Sequence, residues 1–124
     1  RAGLRMVYLG YYMSDFNDTE NGKFAVERGM IPRTGQDADP AETGSLNPFE
    51  SVDEDFVHVN QFLKHLKLGF GKVTQQVSVK VRKGEITRQE ALDLVRRYDG
   101  RCSGRLIDKF CRFLEIEPGG DSFQ

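Results

Sequence analysis

His58 and His65 are the two imidazoles of the chain, so a general base or a metal site would draw on them first. Their seven-residue separation sets them on one face of a helix but about 10 Å apart, too far to share one ion. Beside Phe62 and Leu66 they read as packed or surface residues of that helix. Asp53, Glu54 and Asp55 could attract a cation, yet they precede an apolar stripe and fit a helix start, where negative charge is favoured. Asp15, Asp18 and Glu20 lack the spacing and the closing Glu of a calcium loop. Gly69-Phe70-Gly71, followed by Lys72 and Thr74, lacks the length and the Lys-Ser/Thr ending of a Walker loop and reads as a helix break or a close backbone approach. Lys67 and Lys72 flank this break, and Arg82 and Arg88 follow. Gathered in space, these four cations could hold a phosphate or a carboxylate. Arg88 is a hint of an acidic partner, because a cation in the first turn of a helix stands against the helix dipole. Lys67, Lys72, Arg82 and Arg88 are therefore the candidate anion- or substrate-framing residues; no catalytic residue and no metal ligand is assigned.

The elements that must carry these side chains follow from pattern. The fold class expected is mainly α: a small helical domain with a short N-terminal strand and long loops. Met6 to Leu9 is an apolar run without alternation, as in a strand covered on both faces, so Leu4–Tyr12 is expected to complete a sheet of a preceding region. Tyr11, Tyr12 and Met13 would carry an aromatic surface outward. Asp15–Asn21 reads as a turn into a short helix at about 22–28 that stops near Gly29. Thr34–Pro48, with two Pro and two Gly and little apolar content, predicts a long mobile loop. Phe56, Val59, Phe62, Leu63 and Leu66 recur at helical steps until Gly69 and Gly71. Over 72–83 the valines fit either a helix (Val73, Val77, Val81) or a strand (Val77, Val79, Val81). Helical flanks favour the helix. Thr87 and Glu90 form a capping box that opens a helix ending at Asp99-Gly100. A last helix begins near Ser103, and its Leu106, Phe110 and Phe113 are expected to pack on the capping-box helix, making 83–114 a compact, structural two-helix unit. The division expected is 1–14, the end of a preceding α/β nucleotide-binding domain; 15–52, a short helix and mobile linker; 53–117, a helical region; and 118–124, a frayed tail in which Phe123 could tack the end down.

Charge and cysteine content narrow the classes. The net charge is -1, but Met13–Asp55 holds eleven acidic against three basic residues, and Lys64–Arg101 ten basic against four acidic. The basic half could bind an anion, or face the acidic half or a partner. Two cysteines, Cys102 and Cys111, make neither a disulfide framework nor a thiolate metal site and are expected as reduced, partly buried thiols in a cytoplasmic protein. No apolar run reaches the roughly 18 residues that would suggest a membrane span, so no membrane insertion is expected. The opening Arg1-Ala2-Gly3 reads as a cut from a longer protein.

Several segments together resemble the C-terminal region of N-acetyl sugar amidotransferases, ATP-pyrophosphatase-type enzymes of bacterial surface-polysaccharide and flagellar sugar synthesis. They are Tyr8-Leu9-Gly10-Tyr11-Tyr12, His58-Val59-Asn60-Gln61-Phe62-Leu63-Lys64, Lys67-Leu68-Gly69-Phe70-Gly71-Lys72-Val73-Thr74, and Val81-Arg82-Lys83-Gly84-Glu85-Ile86-Thr87-Arg88-Gln89-Glu90-Ala91 with Tyr98-Asp99-Gly100. The resemblance implies that a preceding nucleotide-binding domain, carrying an SGGxDS-type loop, activates the acetamido oxygen of a nucleotide-linked N-acetyl sugar with ATP and Mg. Ammonia from a separate glutaminase subunit then gives an acetamidino group. This sequence contains no SGGxDS, so the chain alone is expected to be inactive and to hold no cofactor of its own. Its implied role is to frame or close the substrate site. Two other classes stand beside this one. A helical interaction module could use its basic face to dock an acidic partner. A helix-turn-helix using Lys80, Arg82, Lys83, Arg96 and Arg97 would bind nucleic acid, but the acidic overall charge and the lack of a row of base-reading side chains argue against nucleic acid as a partner.

Overall fold

Caps and glycines, more than long apolar runs, decide where helices start and stop in the computed structural model of the chain, which describes residues 3–13 and 17–117. The chain divides into two units, Arg1–Ile31 and Pro32–Gln124. In the first, Leu9–Tyr12 forms one turn of 3-10 helix. The expected N-terminal strand is not formed. Leu4, Met6, Val7 and Tyr8 are exposed and irregular, and among the described residues no strand lies beside them to take their backbone N–H and C=O groups. Helix α1 (Asp18–Glu27) starts earlier than Gly22 because the Asn17 side chain accepts from the Thr19 and Glu20 amides at 2.9 and 3.3 Å. It stops as expected before Gly29, whose φ is 98°. Asp15 and the tail with Phe123 lie outside the described residues.

In the second unit, the stretch expected to be a mobile loop is folded. Gly35–Asp37 makes a 3-10 turn. Helix α2 (Pro40–Thr43) follows, with Pro40 in its first turn and the Asp39 carboxylate accepting from the Ala41 amide at 2.8 Å. Thr43 and Ser45 are buried. Polar side chains do here what apolar ones do elsewhere: Gln76 accepts from the Leu46 amide and donates to Ser45 Oγ, both at 2.9 Å. A composition poor in apolar residues thus misled the expectation, because buried hydrogen bonds leave no hydropathy signal.

Helix α3 (Phe56–Leu68) begins where the Glu54 carboxylate accepts from the Val57 amide at 3.0 Å, and it ends at Gly69 with φ 76°. Its apolar stripe is buried at Val59 but runs out into solvent at Leu66. Helix α4 (Lys72–Arg82) resolves the ambiguity of 72–83 in favour of a helix: Val73 and Val77 are buried, Val81 packs against them, and Val79 is exposed. Helix α5 (Arg88–Tyr98) opens on the capping box, with Thr87 Oγ1 accepting from the Glu90 amide at 3.2 Å and Glu90 Oε2 from the Thr87 amide at 2.7 Å. Helix α6 (Gly104–Phe113) buries Leu106 and Cys111.

The helices pair differently from the expected 83–114 unit. α5 packs on α4, with Ala91, Leu94, Val95 and Tyr98 around the two buried valines, and α6 packs on α3. The Phe56 ring meets those of Phe110 and Phe113 at centroid distances of 5.3 and 4.9 Å. The intervening connector is instead pinned to α2, where the Ser103 amide donates to the Glu42 carbonyl at 2.8 Å. Beside it Gly44 has φ 62°, and a Cβ there would lie 2.4 Å from the Arg101 carbonyl oxygen. Gly44→Ala should therefore combine left-handed strain with a backbone clash. We expect a loss of at least about 2 kcal/mol, read from the urea unfolding midpoint.

Candidate functional site

The glycine-rich break between α3 and α4 was a candidate anion site, and an anion does occupy it: the chain's own Asp99. α4 starts at Gly71, which has no side chain to cap it. The Asp99 carboxylate accepts instead from the Gly71 amide (2.8 Å), the Thr74 amide (3.2 Å) and the Thr74 hydroxyl (2.6 Å). These are the donors that a helix N-terminus offers to a phosphate. Burial works to raise the Asp99 carboxyl, but the bonds from Thr74 and Gly71, with His65 opposite, outweigh it and hold the group below its ordinary value. His65 Nδ1 stands 3.6 Å from Asp99 Oδ2. Space is tight here, since a Cβ on Gly71 would meet Asp99 Oδ1 at 2.8 Å and one on Gly100 would meet the His65 ring at 2.4 Å.

The four predicted framing cations do not converge. Lys72 and Arg82 are the first and last residues of α4, about 15 Å apart along its axis. Lys67 is exposed in the last turn of α3. Lys72 pairs with Glu50 at 2.8 Å on the wall of a cleft of about 200 Å³, which Val57, His58, Gln61, Ser45 and Ser51 also line. Arg82 and Arg88 are brought together on a second hollow, a groove of about 440 Å³ between α4 and α5 whose floor is Val77, Val81, Ala91, Leu92 and Val95. Among the described residues neither arginine makes a hydrogen bond or an ion pair.

A charge network centred on the buried Arg33 holds one wall of the cleft. The Arg33 guanidinium bonds Asp55 at 2.7 Å, the Glu54 carbonyl at 2.5 Å and the Ser51 carbonyl. Lys109 of α6 reaches the other oxygen of Asp55 at 2.5 Å. Bonds from Lys109 and Arg33 lower the Asp55 carboxyl to about 2. Of the Asp53–Asp55 run, Glu54 thus serves the helix start and Asp55 an ion-pair network. His58 is buried, and burial with the Arg33 charge lowers its pKa against the opposing pull of Asp55. The cysteines are free thiols, Cys111 buried and Cys102 half-buried. Burial, with Glu42 nearby, pushes Cys102 up to about 11, which leaves it little thiolate.

Sequence reasoning missed Asp99, Arg33, Glu50 and Gln61. For Asp99 a signal existed: Gly71 opens a helix without a cap, and an Asp-Gly pair ends another. Arg33, one of three cations among eleven acids in Met13–Asp55, gave a weaker one.

The fold and these hollows define a small helical domain with two surface hollows beside a core stitched by polar contacts. Residues 44–120 match the family described as LPS biosynthesis protein WbpG-like, C-terminal domain. The match covers more than half of the 124 residues, and the chain belongs to that family. No curated protein and no solved structure matches it.

Two titrations should shape stability. His58 is depressed when folded, so the unfolded chain takes the proton first, and stability should fall as pH drops below 6.5 until the folded imidazole also titrates. Asp55 is lowered too, so its contribution is present above 3.8 and is lost as pH falls toward about 2. Urea unfolding followed from neutral pH downward should show both losses, the first absent in His58→Gln and the second reduced in Asp55→Asn.

Proposed function

We propose that the chain is the C-terminal, substrate-framing region of an ATP-dependent N-acetyl sugar amidotransferase of surface-polysaccharide synthesis, and that it does not catalyse the reaction alone. Membership of a lipopolysaccharide-biosynthesis family supports the pathway, and the sequence resemblance supports the reaction class. On this reading the chain's own N-terminal nucleotide-binding domain holds ATP and Mg, a glutaminase subunit supplies ammonia, and the enzyme works in the cytoplasm on a nucleotide-activated N-acetyl sugar. An amide oxygen leaves poorly until it is adenylated, so the amidation needs the ATP site, which this chain would complement rather than contain.

The observation that carries the framing role is the pair Arg82 and Arg88, both without an internal partner, on one α4/α5 groove. Two unpaired guanidinium groups on a shared hollow suit the diphosphate of a sugar nucleotide, which each can grip with paired N–H donors. Lys72 is already matched by Glu50, and Lys67 lines neither hollow. The framing role therefore falls on Arg82 and Arg88.

In the complete enzyme, Arg82→Gln and Arg88→Gln should each lower kcat/KM about tenfold or more, the loss expected for one charge-assisted hydrogen bond. The thermal midpoint should stay unchanged, since both side chains are exposed. The chain alone should turn over no ATP. Full activity in both variants would leave the domain a scaffold without a framing role.

A further inference from the structure

The turn that joins α3 to α4 carries apolar side chains that the domain's own packing does not use. Residues 66–70 are exposed without interruption, and three of them are large and apolar: Leu66 at 57%, Leu68 at 62% and Phe70 at 38%. Gly69 sits among them with φ 76°, and a Cβ there would meet no atom within 4 Å, so the turn faces open space. Two cations stand beside it. Lys64 precedes Lys67 by three residues and Leu68 by four, spacings that make neighbours on a helix surface. The Lys64 ammonium lies 4.7 Å from the centroid of the Phe70 ring and bonds the Gln61 side-chain oxygen at 3.4 Å. Among the described residues neither lysine forms an ion pair. Of the carboxylates packed near the Gly71-Lys72 step that follows, Asp99 is enclosed by its own hydrogen bonds and Glu50 is paired with Lys72.

Exposed apolar residues also gather at the end of α6, at Phe113, Leu114 and Ile116, but the charge there is of the other sign. The Phe56–Phe113 contact sets that end beside the start of α3, where Asp53 and Glu54 lie, and Glu115 and Glu117 interrupt its apolar residues. α3 therefore runs from an acidic apolar end to a basic apolar one, about 20 Å away. Exposed apolar side chains interleaved with unpaired lysines suit an anionic lipid surface: the apolar groups enter the headgroup layer while the long lysine stems keep their charges at the lipid phosphates. A protein partner suits the turn less well. Its residues line neither hollow, and so few fall well short of the roughly 20–30 that one side of a specific protein interface supplies.

We propose that the α3–α4 turn docks the domain reversibly on an anionic phospholipid surface, with Leu68 and Phe70 entering the headgroup layer and Lys64 and Lys67 facing lipid phosphates. Among the described residues no helix is long and apolar enough to cross a membrane, so the contact is peripheral. The net charge of -1 gives the chain no general attraction to anions, and binding depends on how this turn is presented. The turn lies outside the Arg82–Arg88 groove and stands or falls separately from the framing role.

The test is co-flotation of the chain with vesicles of phosphatidylcholine alone and of phosphatidylcholine mixed with phosphatidylglycerol, with heparin as a soluble polyanion in parallel. The chain should float with the mixed vesicles and not with phosphatidylcholine alone. Lys64→Gln combined with Lys67→Gln should weaken that binding about twentyfold, from roughly fivefold per charge at an anionic surface. Leu68→Ser should weaken it about fivefold by removing an inserted apolar side chain. The thermal midpoint of both variants should match that of the unaltered chain. No flotation with the mixed vesicles overturns the proposal, as does equal binding to phosphatidylcholine or unchanged binding in the double lysine variant. Unchanged vesicle binding in Leu68→Ser, together with heparin bound as tightly as the vesicles, would make the turn a general polyanion patch and overturn it too.

Discussion

A single carboxylate holds the domain's geometry together. Asp99 ends α5 and, through the same side chain, starts α4, a helix whose own cap position is glycine. Its side chain is 3% exposed, so its three hydrogen bonds compete little with water. The consequence is topological as much as energetic. Fixing Asp99 fixes the direction in which the chain leaves α5, and Gly100 then passes against the His65 ring of α3 at a separation that excludes a Cβ. The α5–α6 connector is thereby sent toward α2, and α6 is delivered to α3 instead of folding back on α5.

This arrangement compensates for a small core. The buried apolar cluster comprises Val73, Val77 and Ala91, with larger side chains packed around it only in part. A domain with so little buried apolar surface relies on oriented polar contacts for uniqueness. The Arg33–Asp55–Lys109 bridge and the Gln76 clamp on the 45–46 backbone fill that role. Both also bear on the cleft. Arg33 holds the Ser51 carbonyl on the cleft wall, and Gln76 holds Ser45 on the same wall. The α4/α5 groove is lined instead by Val77, Val81, Ala91, Leu92 and Val95 of the α4–α5 packing, with Arg82 and Arg88 beside them.

What was legible in the sequence was local. The Thr87–Glu90 capping box, the stop at Gly69 and the helix beneath Val73, Val77 and Val81 all rest on interactions within about four residues, and their patterns survive in the structure. What was not legible was long-range and polar. Asp99 reaches back 28 residues to Gly71, and Gln76 reaches back 30 to Leu46. Neither contact has a hydropathy signature, so the helix pairing and the order of the 34–48 segment were misjudged. The apolar run Met6–Leu9 failed for the opposite reason. Its residue types suit a strand, but a strand requires a neighbour, and that cannot be read from the run itself. At the candidate site, the four cations were identifiable by type, but which of them meet depends on the length of α4, which separates Lys72 from Arg82.

Equilibrium urea unfolding of the Asp99→Ala chain addresses the central constraint directly. Three donors would lose an acceptor that is almost fully enclosed, and the account predicts a loss of about 3 kcal/mol relative to the unaltered chain. A loss within about 0.5 kcal/mol, the range of an ordinary surface change, would contradict it.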